Sequence, residues 1–87
     1  MNKESFLDTL RTQYREDIRE AFIECEHQSQ VDFLTLNIKL KSLMNTAKFE
    51  GLPFKDFEDL VNSTLPEGIV KGVDIFLTLP AFVKKAA

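Results

Sequence analysis

Cys25 and His27 are the chain's single thiol and single imidazole, and their spacing limits what they can do together. Two residues apart on a helix, at about 100° per residue, they point to different sides. A cysteine nucleophile needs a base or a cation within hydrogen-bond reach to become a thiolate. Cys25 instead continues the line Leu10, Tyr14, Ile18, Ala21 and is expected to be a buried, inert thiol. Glu20, Glu24 and His27, spaced by four and three, share one helix side and are the nearest thing to a metal-ligand set. A structural metal site takes about four ligands, and two or three on one exposed helix do not close it. These residues lie opposite the apolar line, which predicts a solvated acidic face. Phosphate-cradling and nucleophile-elbow motifs of the G-x-x-x-x-G-K-[ST], dinucleotide and G-x-S-x-G types are absent. The three glycines, Gly51, Gly68 and Gly72, fall at helix ends or in a weak final segment. The expectation is no catalytic residue, no cofactor and no metal.

Arg11, Arg15 and Arg19 carry a different chemistry. Spaced by four, they form a ridge beside the apolar line of the first helix, and guanidinium groups grip phosphate or carboxylate bidentately. Yet residues 1–30 hold four basic and seven acidic side chains, whereas a nucleic-acid surface shows a positive patch. The ridge is therefore read as a charged rim whose stems cover the core edge and whose heads meet acids such as Asp8 and Glu16. Lys39, Lys41 and Lys48 scatter around the second helix. The third begins Phe54-Lys55-Asp56-Phe57-Glu58-Asp59, too acidic for a recognition helix in a DNA groove. Nucleic-acid binding through the ridge is kept as the alternative function.

The totals point the same way. The chain of 87 residues is 44% hydrophobic and 29% charged with net charge −3, a globular balance with no general attraction to nucleic acid or anionic lipid. A chain of this size buries only about 60–65% of its unfolded surface, so a lone core is marginal. One cysteine excludes an internal disulfide and suits a reducing compartment. No window approaches the roughly 20 apolar residues of a membrane span. Met1-Asn2-Lys3-Glu4-Ser5 shows no signal-peptide pattern, and a cytoplasmic location is expected. The support left for the core is a second chain.

Four elements must position these residues. A first helix is expected from Ser5, with Asp8 completing a capping box, to about Gln28. Its buried stripe is Leu7, Leu10, Tyr14, Ile18, Ala21, Phe22 and Cys25. Ser29 and Asp32 repeat the capping pattern, and Gly51 followed by Pro53 ends a second helix over Ser29 to Gly51. This helix has two apolar sides: Phe33, Leu36, Leu40, Leu43, Met44 and Ala47 on one, Val31, Leu34, Ile38 and Phe49 on the other. The strict alternation over residues 34–41 is also a strand pattern, the alternative for this stretch. A short third helix over Pro53 to Asn62 turns Phe54, Phe57, Leu60 and Val61 inward, and Phe49 and Leu52 are expected to help fill the corner before it. After Thr64 and Glu67, a fourth segment places Ile69, Val70, Val73, Phe76, Leu77 and Val83 at helical spacing. Gly68 and Gly72 weaken it, Pro80 ends it, and order is expected to fall from about residue 80. Its apolar run ends in Lys84-Lys85 but lacks the basic face of a membrane-lying helix, so a groove or the core is the expected environment.

These readings combine into one all-α domain spanning residues 1–87, of three to four helices, with a central two-sided second helix completed by dimerisation. The function expected is a non-catalytic protein–protein interaction module, a small regulator, adaptor or inhibitor. Its contact residues would be Val31, Leu34, Ile38 and Phe49, with Phe76 and Phe82 from the tail and Arg11, Arg15 and Arg19 as the rim. Its partners would be a second copy of itself and an unidentified protein; nucleic acid and membrane are disfavoured.

Overall fold

Asn2, ahead of the expected Ser5, starts the first helix. Its side-chain oxygen accepts the Ser5 backbone N–H at 2.8 Å, satisfying one of the donors left open at a helix N-terminus. The computed structural model describes residues 2–75, and in it this helix, α1, spans Lys3–Cys25. Leu7, Leu10, Tyr14, Ile18, Ala21 and Cys25 are buried along it, the stripe that threefold and fourfold spacing predicts, with Phe22 half-buried at its margin.

The second helix does not begin at Ser29. Glu26–His27 (β1) and Gln30–Val31 (β2) form a small antiparallel ribbon, Glu26 opposite Val31 and His27 opposite Gln30. Gln28 and Ser29 make the turn at φ 52° and 67°, the paired positive values of a two-residue hairpin loop. Asp32 is the true cap. Its carboxylate accepts the Thr35 N–H at 3.1 Å and the Thr35 hydroxyl at 2.7 Å, and α2 runs Phe33–Glu50. Val31 is thereby moved off the helix onto β2, where it is half-buried against the core. Residues 34–41 are helical, so the strand alternative falls.

Gly51 ends α2 at φ 106°. Its N–H donates to Lys48 O at 3.1 Å and the Leu52 N–H to Ala47 O at 2.9 Å, a Schellman motif with buried Leu52 as its apolar closure. Pro53 leads into α3, Phe54–Thr64, and Pro66 into the single turn α4, Glu67–Val70. Phe57, Leu60 and Val61 face inward. Phe54 does not: it is 51% exposed and lines a cleft between α2 and α3. Past α4 the chain returns to the core through Val73 and Ile75, both buried.

The domain is all-α apart from the ribbon. Its centre is α1 rather than α2: α1 packs against both α2 and α3, which meet each other only slightly. Tyr14 marks the junction, its ring edge-on to Phe57 of α3 at 6.3 Å and 73° and its hydroxyl donating to the Glu50 carboxylate of α2. The second helix buries one side, through Leu36, Leu40 and Ala47, and no described element encloses the other. Among the described residues no helix is long and apolar enough to cross a membrane. The expectations for Phe76, Phe82 and the order of the chain past residue 80 lie outside the described residues.

Candidate interaction surface

Three of the four residues expected on the second side of α2 do share an outer side, and it is open. Leu34 is 75% exposed, Ile38 62% and Phe49 92%. Leu34 and Ile38 sit one turn apart. Phe49 follows Ile38 by eleven residues, about 16 Å along the axis, with exposed Lys41 and Asn45 between them. The side is thus two patches divided by polar residues, and Val31 belongs to neither.

The first patch borders a groove. Phe33, Leu34 and Ile38 wall it on one side, Gly72, Asp74 and Ile75 on the other, around an open volume of about 390 Å³. Asn37 holds the two walls together. Its amide nitrogen donates to Phe33 O at 2.9 Å and Gly72 O at 3.1 Å, and its oxygen accepts the Asp74 N–H at 3.1 Å. A side-chain amide offers a donor and an acceptor together, so one residue pairs with the passing backbone as a strand would. The sequence signal for Asn37 was slight: a lone polar residue one turn after Phe33 and one before Leu40, on the edge of the buried side.

The second patch surrounds the α2–α3 corner. Leu52 and Phe57 fill the corner as expected, while Phe49 and Phe54 turn outward. A Cβ placed on Gly51 would lie 3.9 Å from the Phe6 ring, so half-exposed Phe6 flanks the same turn. Between α2 and α3 a narrower cleft of about 110 Å³ is lined by Met44, Asn45, Lys48, Leu52, Phe54 and Phe57.

The arginine ridge does not act as one unit. Arg11 binds Asp8 at 2.6 Å and Asp56 of α3 at 3.0 Å, a tie between helices, and Asp56 foremost holds its guanidinium more firmly protonated. Arg15 and Arg19 are exposed. Asp56 went unnoticed as a partner because it lies 45 residues from Arg11, and spacing rules see only neighbours on one helix. The acidic trio is also divided: Glu24 pairs with Lys39 of α2 at 3.3 Å, while His27 lies on β1. Among the described residues no group of three or more His, Cys, Asp or Glu side chains gathers as a metal site would require. Cys25 is buried. Burial pushes its thiol above the ordinary value, with nearby Lys39 opposing the shift, which keeps it protonated near neutral pH.

The fold and this surface together define a small all-α domain with two exposed apolar patches on the outer side of one helix. In comparison with known proteins the chain matches no family model, no curated protein and no solved structure.

Proposed function

We propose that the protein is a non-catalytic protein–protein interaction module, a small regulator, adaptor or inhibitor, that binds through the outer side of α2. One observation carries this reading: a helix whose Leu36 and Leu40 are fully buried holds Leu34 and Ile38 at 75% and 62% exposure beside an open groove. Full burial of a leucine or isoleucine contributes about 1.5–3 kcal/mol relative to exposure. Both residues are fixed on a capped helix, so a partner gains that burial without first ordering the surface. Asn37 and Lys41 beside them supply a polar border of the kind that rings a desolvated contact.

The first partner of this reading is a second copy of the chain. A twofold contact of α2 against its own counterpart would bury Leu34 and Ile38 reciprocally, since each copy presents the same patch. A reducing, cytoplasmic setting fits the lone buried thiol of Cys25. The engagement of Arg11 by Asp8 and Asp56 weighs against nucleic-acid binding, because it removes one of three cations from the ridge. Phe76 and Phe82, the tail residues of the expected contact set, lie outside the described residues.

Sedimentation velocity over a range from low to high micromolar tests the proposal. The expected result is a concentration-dependent dimer that Leu34→Asp and Ile38→Asp each abolish while helicity is retained. A chain that stays monomeric throughout, and whose protein ligands are captured equally by wild type and by Ile38→Asp, would overturn it. Salt-sensitive retention on heparin, lost in Arg15→Glu, would favour the nucleic-acid reading instead.

A further inference from the structure

α2 holds three lysines and one carboxylate in a chain of net charge −3. The carboxylate, Glu50, accepts the Tyr14 hydroxyl on the side of α1, and Lys39 pairs with Glu24 of α1. Lys41 and Lys48 remain. Both are exposed, and none of the ion pairs among the described residues uses either. Leu34, Ile38, Lys41, Asn45 and Lys48 follow one another at spacings of four and three. Residues so spaced fall on one line along a helix, and such a line is the seam on which a second helix lies. It extends about 21 Å from Leu34 to Lys48, roughly four turns. The seam is apolar at one end, through largely exposed Leu34 and Ile38, and cationic toward the other. Asp74 and Lys41 both line the groove beside Leu34 and Ile38, so charge is mixed there and the surplus positive charge lies toward Lys48. Exposed Phe49, one turn beyond Asn45, flanks this cationic end.

We propose that the outer side of α2 receives an acidic amphipathic helix from a partner protein. Its contact side carries aliphatic residues that cover Leu34 and Ile38 and, farther along, carboxylates seven residues apart that meet Lys41 and Lys48. Like charges facing each other across a contact cost affinity, and opposite ones fix register and orientation. A second copy of α2 supplies no carboxylate to this seam. In parallel it sets Lys41 against Lys41, and antiparallel about Leu34 and Ile38 it ends before reaching Lys48. An anionic lipid surface is the poorer fit, because a membrane-lying helix has a broad apolar side bordered by many cations, whereas here two lysines interrupt the apolar line. The acidic helix occupies the surface of the interaction reading and so rests on it, adding the chemistry of the partner.

The test uses a synthetic helical peptide about four turns long, with Leu facing Leu34 and Ile38 and Glu facing Lys41 and Lys48. Its counterpart has Lys in place of both Glu residues, and each is made in both sequence directions. They are titrated into the isotope-labelled full chain at low salt, below any self-association. The Glu peptide should shift the Leu34, Ile38, Lys41 and Lys48 amides and bind roughly tenfold more tightly than the Lys peptide, the scale of two surface ion pairs turned from attraction to repulsion. Added salt should shrink that margin. Lys41→Glu should abolish the preference, and Lys41→Glu with Lys48→Glu should reverse it. Thr46→Glu, at an exposed position off the seam, should keep it. Equal binding of the two peptides would overturn the proposal. Binding of neither would overturn it too, and retention by phosphatidylglycerol vesicles in that case would give this side of α2 to a membrane. If Ile38→Asp abolishes self-association while the wild type shows no preference for the Glu peptide, the interaction reading stands and the acidic partner falls.

Discussion

Leu36 and Leu40 are sealed inside the domain, while Leu34 and Ile38, each two residues earlier on the same helix, stand largely in water. Residue type does not separate the two pairs. Geometry does: two positions turn a helix by about 200°, which carries one pair onto α1 and the core and the other away from every described element. The helix has caps of its own at Asp32 and Gly51, so neither side is needed to define its ends. Among the described residues, the inner side is the one that packs into the core. The outer side presents the same chemistry largely uncovered among the described residues, which makes it the part of α2 open to another molecule.

The largest expected effect separates the two sides directly. Leu40→Ala removes a fully buried side chain, and truncations of this kind cost about 2–5 kcal/mol, depending on how far the site collapses. Ile38→Ala, on the exposed side, should change the stability of the monomeric chain by no more than about 0.5 kcal/mol. Urea unfolding at a concentration below any self-association measures both. Equal losses for the two variants would break the comparison, because they would mean that something in the single chain already covers Ile38.

How much of this could be read in the sequence differs between the helices. All of α1's buried positions follow from spacing alone, because one stripe on a long helix has only one place to go. Gly51 was equally legible, since a left-handed cap favours glycine and Pro53 follows it. The ribbon was not: Gln28 and Ser29 hold positive φ values without the glycine or asparagine that usually marks such a turn, and Ser29 and Asp32 together imitate a helix cap. That error placed Val31 on α2. The central role given to α2 failed for a different reason. Two apolar sides show that a helix has two surfaces averse to water, but not which one its own chain covers. The groove wall built by Gly72 and Asp74 was hidden as well, because Asn37 meets them across 35 and 37 residues.

A smaller effect sharpens the comparison on the flank between the two sides. A Cβ added at Gly72 would lie 2.3–2.8 Å from three atoms of the Phe33 ring. Gly72→Ala must therefore displace a half-buried ring, and overpacking of this sort costs about 1–3 kcal/mol. A Cβ at Gly68 in α4 meets nothing within 4 Å, so Gly68→Ala should be neutral or stabilise by up to about 1 kcal/mol through the lower entropy of the unfolded chain. Thermal midpoints of the two variants against wild type check the contrast. If Gly72→Ala is as mild as Gly68→Ala, the wall formed by the returning chain is looser than its hydrogen bonds to Asn37 imply.

The smallest effect tests the opposite flank, where Tyr14 of α1 reaches Glu50 at the end of α2. Burial first, and then the hydrogen bond to the Glu50 carboxylate, hold the phenol well above its ordinary value of 10.0. The sign follows from proton counting: above pH 10 the unfolded chain loses a proton that the folded chain keeps. Stability from this group is thus complete below pH 10 and declines as pH rises through the folded value. Tyr14→Phe deletes the hydroxyl but leaves exposed Glu50 to water, so near neutral pH it should cost only about 0.5–1.5 kcal/mol. The difference between wild type and variant should narrow as pH climbs past 10, with lysine titration cancelling between them. Tyr14 is the only tyrosine and the chain has no tryptophan, so phenolate absorbance reports this one group. It should rise together with the loss of helix, since ionisation requires the α1–α2 junction to open. A phenolate signal that develops near pH 10 while the helices remain intact would mean that water already reaches the junction, and that this flank of α2 belongs with its exposed side rather than its buried one.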